Sequence, residues 1–590
     1  MPDTSPAGEP VLVRLDSFDP QRGARSFRFS GHRETVTAAR VEEVVPALRR
    51  IEEAVSRGLH AAGFLAYEAA PAFDPALATH PPDPRLPLLW FALFESREER
   101  SPSDDLPDEE FSLGEWCPSL DEVGHAERVR TIRELTAAGD TYQVNFTLRL
   151  RTPFHGSDLG LYRTLCSAQR SAYCALLRVG GVSVVSASPE LFFRWAGGEL
   201  ELRPMKGTRP RGRWSREDDA LAAELVASPK ERAENLMIVD LLRNDAGRIS
   251  EWGSVHVPRL FEVERYETVH QLTSTVRSRT RPGTTLVDVL RALFPCGSVT
   301  GAPKVRTMEI IRELEAGPRG VYTGAVGFVS PGEAVFNVAI RTLVVDRGAG
   351  EAELGVGSGV TYDSDAAAEY RECLEKARFT VEPPREFDLL ETMLYEPEGG
   401  FFLLDGHLER LDASARRFGF RCDPDRVRRA LCGAVAGTAD RPLRVRLLLG
   451  RGGEARVEVA PLPPETSAPA RVVLSTRPVD SRDPLLYHKT TRREVYESRA
   501  AEHPGCDDVI LVNERGEVTE STVANVIARI GGALVTPPLD AGLLPGVFRE
   551  YLLHRGEIHE RTLRPGDLRR AEELYLVNSV RRWRRAALVD

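Results

Sequence analysis

The sequence has no run of about 18 apolar residues, so it predicts no membrane-spanning helix. Its start, MPDTSPAGEP, lacks a basic segment followed by an apolar one, which predicts no secretory signal peptide. Cysteine is also scarce, with eight residues and no pair at CxxC spacing. This pattern is typical of a reducing compartment, so we expect a cytoplasmic protein without a disulfide framework or structural zinc site.

Positive charge is in short supply as well. Lys and Arg number 78 against 88 Asp and Glu, and the net charge is −10. This balance argues against nucleic acid or another polyanion as the main partner. Two local basic clusters, at 203–213 and 581–585, could still hold small anions. Short-period repeats are absent.

The 590 residues exceed what one hydrophobic core organises, so we expect two to four domains. The best linker is TVEPPREF at 380–387, because paired prolines stop both helices and central strands. Short strands interspersed with helices precede and follow it, which predicts an α+β fold in both modules. We expect disorder at 1–11 and three parts: an N-terminal portion at 1–110, a catalytic domain at 111–382 and a second module at 383–590.

Residues 227–248 predict a helix that carries a carboxylate in a costly position. Ser228 is a good N-cap, and Glu231 completes a capping box, which gives Glu231 a structural task. Glu234 falls instead along the apolar stripe of the helix. A carboxylate that faces a core is costly unless it is paired or bound to a metal, so Glu234 is a candidate ligand.

Residues 364–379 predict a second helix, with Tyr370, Leu374 and Ala377 on its buried face. Glu372 and Lys376 are four residues apart, so a surface ion pair would explain both.

Two glycine-rich stretches, 355–365 and 295–304, precede predicted helices. Such turns expose backbone N–H groups that suit a carboxylate or phosphate. The stretch RPMKGTRPRG at 203–212 holds Lys206, which is either a solvated lysine in a basic turn or an amine positioned near an acidic ligand. The glycine-rich stretches and Glu234 together favour an anionic-ligand site.

The sequence resembles the chorismate-utilising enzymes, the family of anthranilate, isochorismate and aminodeoxychorismate synthases. This resemblance implies a β-sandwich with surrounding helices. YEAA at 67–70 fits the N-terminal portion of these synthases. The other matching stretches follow one another in family order: SASPELFFRW (186–195), RPMKGTRPRG (203–212), KERAENLMIVDLLRNDAGR (230–248), YETVHQLTSTV (266–276), CGSVTGAPKVRTMEII (296–311), GVYTGAVGF (320–328), NVAIRTL (337–343) and GVGSGVTYDSDAAAEYRECLEKAR (355–378).

Within this family, anthranilate synthases typically carry alanine where Lys206 stands, and aminodeoxychorismate synthases carry lysine. The resemblance therefore implies that Lys206 attacks C2 of chorismate while the C4 hydroxyl leaves, after which ammonia enters at C4 and expels the lysine. Glu190 corresponds to the general acid for the departing hydroxyl. A desolvated lysine with a lowered pKa is a competent nucleophile, which agrees with this role.

The resemblance also implies how substrate and metal are held. Glu234 and Glu372 match the carboxylates that bind Mg²⁺, which grips the ring carboxylate of chorismate, and hard oxygen ligands suit this cation. Surface ion pairs remain the alternative for two of the matching cations, Lys376 and Arg341. The positions that match substrate contacts are Arg341, Tyr322, Lys376 and the backbone of Gly357, Ser358 and Gly359, with His270 and Thr300 lining the ring.

These synthases usually take ammonia from a glutaminase. No amidotransferase nucleophile motif surrounds any of the eight cysteines, so we expect a separate glutamine amidotransferase subunit as a partner.

The second module resembles the fold-type IV pyridoxal-phosphate enzymes, and especially the 4-amino-4-deoxychorismate lyases. This implies a two-subdomain α+β domain, pyridoxal phosphate as cofactor and a possible dimer through this domain. The matching stretches are DGHLERL (405–411), LLYHKTTRREVY (485–496), DDVILVNERGEVTESTVANVIA (507–528), PPLDAGLLPGVFRE (537–550) and YLVNSVRRW (575–583).

In that comparison Lys489 attaches the cofactor and removes the C4 proton of the substrate. Glu520 keeps the pyridine nitrogen protonated, so that the ring withdraws electrons. The implied phosphate contacts are Arg410, the N–H groups of Gly546 and Val547, and, more weakly, Ser579. On local grounds alone, Lys489 could be a solvated loop residue and Glu520 an edge-strand charge or a cap.

Together the two resemblances imply a bifunctional enzyme that makes 4-aminobenzoate from chorismate and ammonia, with release of pyruvate, for folate or an antibiotic pathway. Three alternatives remain. The second module could be a transaminase of other specificity or an inactive scaffold, and the first could be an anthranilate synthase.

Overall fold

The structure is a computed structural model that describes residues 11–19, 25–101, 106–380, 386–437, 441–462, 464 and 468–589. The predicted disorder at 1–11 therefore lies, except for Val11, outside the described residues. Two compact units are present. The first comprises 1–209 and 223–384, and the second comprises 210–222 and 385–590. The sequence did not predict that 210–222 belongs to the second unit.

Nineteen strands of the first module are connected by pairing. They are β1 Val13–Asp16, β2 Ser26–Ala38, β3 His60–Leu65, β4 Leu89–Arg100, β5 Phe111–Leu113, β6 Cys117–Pro118, β7 Gln143–Gly156, β8 Tyr173–Val179, β9 Val182–Ser188, β10 Leu191–Ala196, β11 Glu199–Arg203, β12 Met205–Pro210, β13 His256–Arg265, β14 Val269–Arg279, β15 Gly301–Ala302, β16 Ala325–Ser330, β17 Glu333–Val338, β18 Thr342–Asp346 and β19 Glu351–Val360.

The helices encoded before residue 380 are α1 Val41–Ser56, α2 Glu122–Ala137, α3 Asp158–Gln169, α4 Ser215–Ala227, α5 Pro229–Gly247, α6 Leu286–Leu293, α7 Lys304–Leu314 and α8 Ala366–Glu375. The first eight residues of α4, 215–222, belong to the second unit. A large hydrophobic core lies where α1, α5 and α6 pack on strands. It includes Leu48, Ile51, Ile238, Leu242, Leu290 and Phe336. No helix among the described residues is long and apolar enough to cross a membrane.

Antiparallel pairing runs from strand to strand through the unit, in the order β7–β19–β18–β9–β8–β1–β2–β4–β3–β16–β17–β10–β11–β14–β13. Strands from 1–110 thus pair directly with later ones, as β3 does with β16. The structure places both parts in one unit and confirms the α+β class.

One local prediction is wrong. The glycine-rich stretch at 355–360 is not a turn, because it continues β19 and pairs with β7 through Val360. Strand β18 pairs with β19 only as far as Leu354. Among the described strands, residues 355–360 therefore have a ladder partner on one edge, and they line a cavity described below.

The two predicted helices exist. Helix α5 begins after Ser228, whose side chain accepts a hydrogen bond from the Glu231 N–H at 3.4 Å. The Glu231 carboxylate accepts from Arg209 at 2.9 Å instead of completing the predicted capping box.

Tyr370 on α8 and Ala377 just beyond the end of α8 are buried as predicted, but Leu374 is 37% exposed and Cys373 takes its place in the core. The buried face of this helix was therefore predicted only in part.

The second unit contains two sheets. Its strands are β20 Leu389–Glu396, β21 Gly400–Phe401, β22 Leu443–Leu449, β23 Ala455–Pro461, β24 Ala470–Leu474, β25 Asp508–Val512, β26 Val518–Ser521, β27 Asn525–Ile530, β28 Ala533–Thr536, β29 His559–Glu560, β30 Glu573–Asn578 and β31 Arg582–Leu588. Its helices are α9 Leu404–Phe418, α10 Pro424–Val435, α11 Glu494–Glu502, α12 Val547–His554 and α13 Pro565–Arg569.

One sheet has the order β21-β20-β22-β23, and α9 and α10 pack on it through Leu408, Leu411 and Leu431. The other has the order β26-β25-β24-β31-β30-β27-β28-β29. A further pairing of β26 with β27 closes six of its strands into a ring. Each sheet has its own core, which matches the predicted two-subdomain arrangement.

Candidate active sites

The first unit contains a cavity of about 360 Å³ between β12, α5, β19 and α8. Most of the predicted site residues line it: Glu190, Lys206, Glu234, Tyr322, Arg341, Gly357, Ser358, Gly359, Glu372 and Lys376. Two do not. His270 and Thr300 are fully buried and absent from the cavity wall, where Ser298 and Val299 lie instead. The Thr300 hydroxyl donates to the Cys296 carbonyl at 3.2 Å.

Lys206 lies on β12 with its side chain 16% exposed, and its Nζ is 3.7 Å from Glu234 Oε2. Asn235, buried on α5, donates to the Lys206 carbonyl at 3.1 Å and so fixes the strand backbone beside the lysine. Across the cavity, Gly359 leaves room for the amine. A Cβ at that position would overlap both Lys206 Nζ and Gln143 Nε2.

Glu190 is buried, and its Oε1 has no hydrogen-bond partner among the described residues. Burial raises the pKa of Glu190 to about 7, although a hydrogen bond from Ser298, another from the Met205 backbone and the charge of Lys206 oppose this rise. The carboxyl is therefore partly protonated near neutral pH and faces a cavity with a proton to donate.

Four carboxylates crowd one side of this cavity, namely Glu231, Glu234, Glu369 and Glu372. Burial raises the pKa of Glu234; the charges of Glu231 and Glu369 add to the rise, while Lys206 and Lys230 oppose it. Burial would also raise the pKa of Glu372, but Lys376, 2.7 Å away, holds it below its usual value. A divalent cation would relieve this repulsion.

Glu234 and Glu372 thus fit a Mg²⁺ ion that keeps several positions for water and substrate oxygens. Across the described parts of the chain, no three His, Cys, Asp or Glu side chains converge into a complete metal site.

The remaining predicted contacts line the same cavity. Lys376 donates to the Gly357 carbonyl at 2.8 Å, which joins α8 to β19. Arg341 has φ of 50°, a left-handed conformation that is costly for a non-glycine residue, and its guanidinium is bonded to Gln169. Tyr322 is buried, and its ring lies so close to Gly355 that a Cβ there would overlap it.

Sequence reasoning missed Gln143. It is 2% exposed, and neither polar atom of its side-chain amide has a partner among the described residues. Its Nε2 and Lys206 Nζ are both adjacent to Gly359. The stretch YQVN, where β7 begins, gave no signal of this proximity, because it depends on the pairing of β7 with β19.

The second unit contains a cavity of about 500 Å³, and all six residues predicted for its cofactor line it: Arg410, Lys489, Glu520, Gly546, Val547 and Ser579. Lys489 follows a short 3₁₀ turn, and its carbonyl accepts from the Leu390 N–H at 2.9 Å. Burial lowers the pKa of Lys489 to about 8, and the charges of Arg410 and Arg493 act in the same direction.

Glu520 lies on β26 and is 4% exposed. Its carboxylate accepts hydrogen bonds from the Tyr496 hydroxyl at 2.9 Å, the Leu544 N–H at 3.1 Å and Asn525 Nδ2 at 3.3 Å. Burial raises the pKa of Glu520 to about 7 despite these bonds. A protonated ring nitrogen beside it would stabilise the carboxylate, so this position fits a pyridine ring.

Arg410 is held rigidly by two hydrogen bonds to Glu391, at 2.9 and 2.6 Å, and one to the Pro545 carbonyl at 3.0 Å. It lies beside the N-terminus of α12, where Gly546 is the N-cap. A Cβ at Gly546 would overlap Asn525 Oδ1. A fixed guanidinium and a helix N-terminus in one cavity suit a phosphate group.

Further arginines line the rest of this cavity: Arg444, Arg446, Arg492, Arg493 and Arg581. Arg581 Nη1 is buried without a hydrogen-bond partner among the described residues. Sequence reasoning missed this set except for the basic cluster at 581–585. That cluster contributes only Arg581, because the three other arginines pair with Glu396, Asp507 and Glu573.

In the other basic cluster, at 203–213, the arginines are already neutralised. Its arginines pair with acidic side chains, namely Arg203 with Glu264, Arg209 with Glu231, Arg211 with Asp218 and Arg213 with Glu217. Lys206 and Arg209 both line the first cavity, and Arg209 is paired there with Glu231.

Comparison with known proteins agrees with this division. Residues 16–382 match the family described as chorismate binding enzyme, and residues 388–589 match amino-transferase class IV. The first match covers more than half of the chain, which therefore belongs to the chorismate-binding enzyme family. The second places the C-terminal part with the class IV aminotransferases, the family of fold-type IV enzymes.

Aminodeoxychorismate synthase of Streptomyces pristinaespiralis is 45% identical over 312 residues, which are 52% of this chain and 41% of that protein. Anthranilate synthase component 1 of Streptomyces coelicolor is 47% identical over 265 residues, 45% of this chain and 52% of that protein. The chain thus spans about half the length of these relatives or less.

Among solved structures, anthranilate synthase component I from Streptococcus pneumoniae aligns with a TM-score of 0.50 at 27% identity and covers 64% of this chain and 93% of that one. Identity alone does not separate the two synthase types, since both are 45 to 47% identical to this chain over the matched residues.

Proposed function

We propose that the chain is a bifunctional enzyme that makes 4-aminobenzoate. The first unit aminates chorismate to 4-amino-4-deoxychorismate, and the second eliminates pyruvate from that intermediate. The observation that carries the proposal is Lys206, an amine inside the chorismate-family cavity beside Glu190 and Glu234. A synthase that transfers ammonia directly to C2 has no use for a nucleophile there.

The chemistry of the first unit follows from its side chains. The Lys206 Nζ–C2 bond forms as the C4–O bond of chorismate breaks, and Glu190 gives its proton to the hydroxyl, which departs as water. Ammonia then forms the C4–N bond as the bond to Lys206 breaks, which restores the lysine. Glu234 and Glu372 would hold Mg²⁺, which would supply charge for the ring carboxylate. Lys376, Arg341 and Tyr322 remain proposed substrate contacts.

We infer that the ammonia comes from a separate glutamine amidotransferase subunit. The eight cysteines have no amidotransferase motif around them, and all of them are free thiols in the structure.

In the second unit, Arg410 and the N-terminus of α12 would bind the phosphate of pyridoxal phosphate, and Glu520 would hold its ring nitrogen protonated. The cofactor, when bound, withdraws electrons from the substrate amine. Lys489, with its pKa near 8, has enough unprotonated amine at neutral pH to take the C4 proton of the substrate. Arg444 and Arg581 offer cations for a substrate with two carboxylates.

One assay tests both halves. Purified protein is incubated with chorismate, ammonium at alkaline pH, Mg²⁺ and pyridoxal phosphate, and the aromatic product is identified by chromatography while pyruvate is measured. We expect 4-aminobenzoate and pyruvate. Accumulation of aminodeoxychorismate would mean that the second unit is a transaminase of other specificity or is inert. Formation of 2-aminobenzoate would identify an anthranilate synthase instead.

A further inference from the structure

Residues 210–222 follow Lys206 closely in sequence, yet they belong to the second unit. They lie inside the stretch that matches the chorismate-binding family and outside the stretch that matches the class IV aminotransferases. We propose that this segment, which we call the donated segment, is a working part of the cofactor-binding unit and positions Lys489 by holding Tyr487 and His488. The inference rests on the proposed role of Lys489.

The first contact is with Tyr487. The Trp214 ring packs against the Tyr487 ring with a centroid distance of 4.9 Å and an interplanar angle of 37°. The Arg213 guanidinium lies 4.5 Å from the Trp214 centroid and donates to the Tyr487 hydroxyl at 3.3 Å. Tyr487 in turn donates to the Ser481 carbonyl at 2.8 Å. The residue two positions before Lys489 is therefore clamped by the donated segment.

The second contact is with His488, the residue before Lys489. Its Nε2 is 3.0 Å from the Arg213 carbonyl and its Nδ1 is 2.9 Å from the Ser414 hydroxyl. A carbonyl can only accept, so Nε2 carries the proton. Burial lowers the pKa of His488 to about 3, so the ring is neutral and Nδ1 accepts from Ser414. One tautomer and one ring orientation satisfy both partners.

The donated segment is itself held in place by reciprocal hydrogen bonds. Arg211 Nη2 donates to the Arg417 carbonyl at 2.9 Å, and Arg417 Nε donates to the Gly212 carbonyl at 2.7 Å. Gly212 also lies against the backbone of Asp218, where a Cβ would overlap. Arg417 and Ser414 are both on α9, the helix that also carries Arg410. The segment therefore joins the lysine and the helix of the phosphate-binding arginine.

On its other side Lys489 is fixed by β20, through the Leu390 N–H and a bridge between Leu389 and Thr490. With both flanks held, the lysine side chain stays in the cavity among Arg410, Arg493, Glu391 and Glu520, the charged groups that act on its amine. If the donated segment were loosened, water would enter beside Lys489, and the amine would become easier to protonate.

The test uses the full chain with Trp214→Ala, and Trp252→Ala as the matched control, because Trp252 is fully exposed in the first unit. Two quantities are measured: the dissociation constant of pyridoxal phosphate, and the pH dependence of amine labelling of Lys489 in cofactor-free protein, followed by mass spectrometry. We expect Trp214→Ala to weaken cofactor binding roughly three- to tenfold. We expect its labelling midpoint to rise toward the ordinary lysine value of about 10.4.

Ser414→Ala is a milder second variant, which removes only the donor to His488 Nδ1, and it should shift both quantities in the same direction. The proposal would be overturned if Trp214→Ala left both the dissociation constant and the labelling midpoint unchanged. The segment would then contribute at most to the stability of the fold, whether or not the melting temperature fell. Wild-type protein that binds no pyridoxal phosphate would refute the proposed cofactor role instead, and the labelling profiles would still test positioning.

Discussion

At the scale of single residues, the proposed role of Lys206 as a nucleophile can be tested by substitution. Lys206→Ala should reduce aminodeoxychorismate formation by at least about a hundredfold, because no other amine replaces the nucleophile. Lys206→Arg keeps the positive charge near Glu234 and should be as inactive as the alanine variant. Both variants should still convert supplied aminodeoxychorismate to 4-aminobenzoate. Substantial activity in Lys206→Arg would indicate that the lysine provides only charge.

Glu190 predicts a pH dependence of the first reaction. Its pKa near 7 lies above that of an ordinary glutamate, so the acid form is present below that pH and is lost as pH rises. The amination rate, divided by the free-ammonia concentration, should therefore fall on the alkaline side of about pH 7. Glu190→Gln should remove this decline and slow the reaction roughly a hundredfold or more. If the variant retains the same decline, another group is the acid.

At the scale of structural elements, the end of β19 gives Lys206 its space. A methyl group in Gly359→Ala would overlap Lys206 Nζ and Gln143 Nε2. We expect amination to fall by roughly tenfold or more, since small displacements at reacting atoms are expensive, while pyridoxal phosphate binding is unchanged. Gly181→Ala is the control, because a Cβ there meets open space. Equal effects of the two substitutions in a steady-state assay would contradict this account.

An acid-sensitive cluster joins strand β20, which carries Glu391, to helix α9, which carries His407 and Arg410. Burial would raise the pKa of Glu391, but Arg410 and His407 hold it at about 2. Because this pKa is depressed, Glu391 stabilises the fold above the unfolded value of about 4.3 and stops doing so as pH falls through 4 toward 2. Glu391→Gln should lower the free energy of unfolding at neutral pH by about 3 kcal/mol and flatten its acid dependence.

Calorimetry between pH 3 and 7 would measure this change. Asp405→Asn, which removes the exposed partner on α9 of Arg428 on α10, should lower the free energy of unfolding much less than Glu391→Gln does. If the two variants lost the same free energy of unfolding, burial of the Glu391 cluster would make no special contribution to stability.

The same elements show what the sequence could predict. Helices α5 and α8 were predictable because caps and apolar spacing are local signals, and Ser228 is indeed the N-cap. The strand at 355–360 was not predictable, because glycine favours turns and only the pairing with β7 makes this stretch extended. The position of Gln143 was missed for the same reason. Most cavity residues were predictable only through the family resemblance. The local sequence alone allowed several of them to be members of surface ion pairs.

At the scale of the whole molecule, the two reactions should be separable. Lys206→Ala and Lys489→Ala proteins should each fail to make 4-aminobenzoate from chorismate and ammonia. Mixing them should restore the product, because the intermediate made by one can diffuse to the other. Chromatography and a pyruvate assay would follow the mixture over time. No product from the mixture, with both proteins folded, would mean that the intermediate is not released.

The assignment of 210–222 to the second unit lay beyond sequence reasoning. Its bonds to that unit join residues 205 to 275 positions apart, as between Gly212 and Arg417 and between Arg213 and His488. No local pattern carries such information. The arginines of this stretch look like an exposed basic loop until their acidic partners and carbonyl acceptors are known.

The donated segment has a consequence for the history of this gene. In a simple gene fusion, recombination at the junction can separate the two coding regions again, and either half can be exchanged for a homologue. Here a few codons inside the upstream half encode part of the downstream catalyst. A recombination event at the junction would pair the downstream half with a foreign loop, so the two halves are expected to be inherited together and to change in concert around Trp214 and Tyr487.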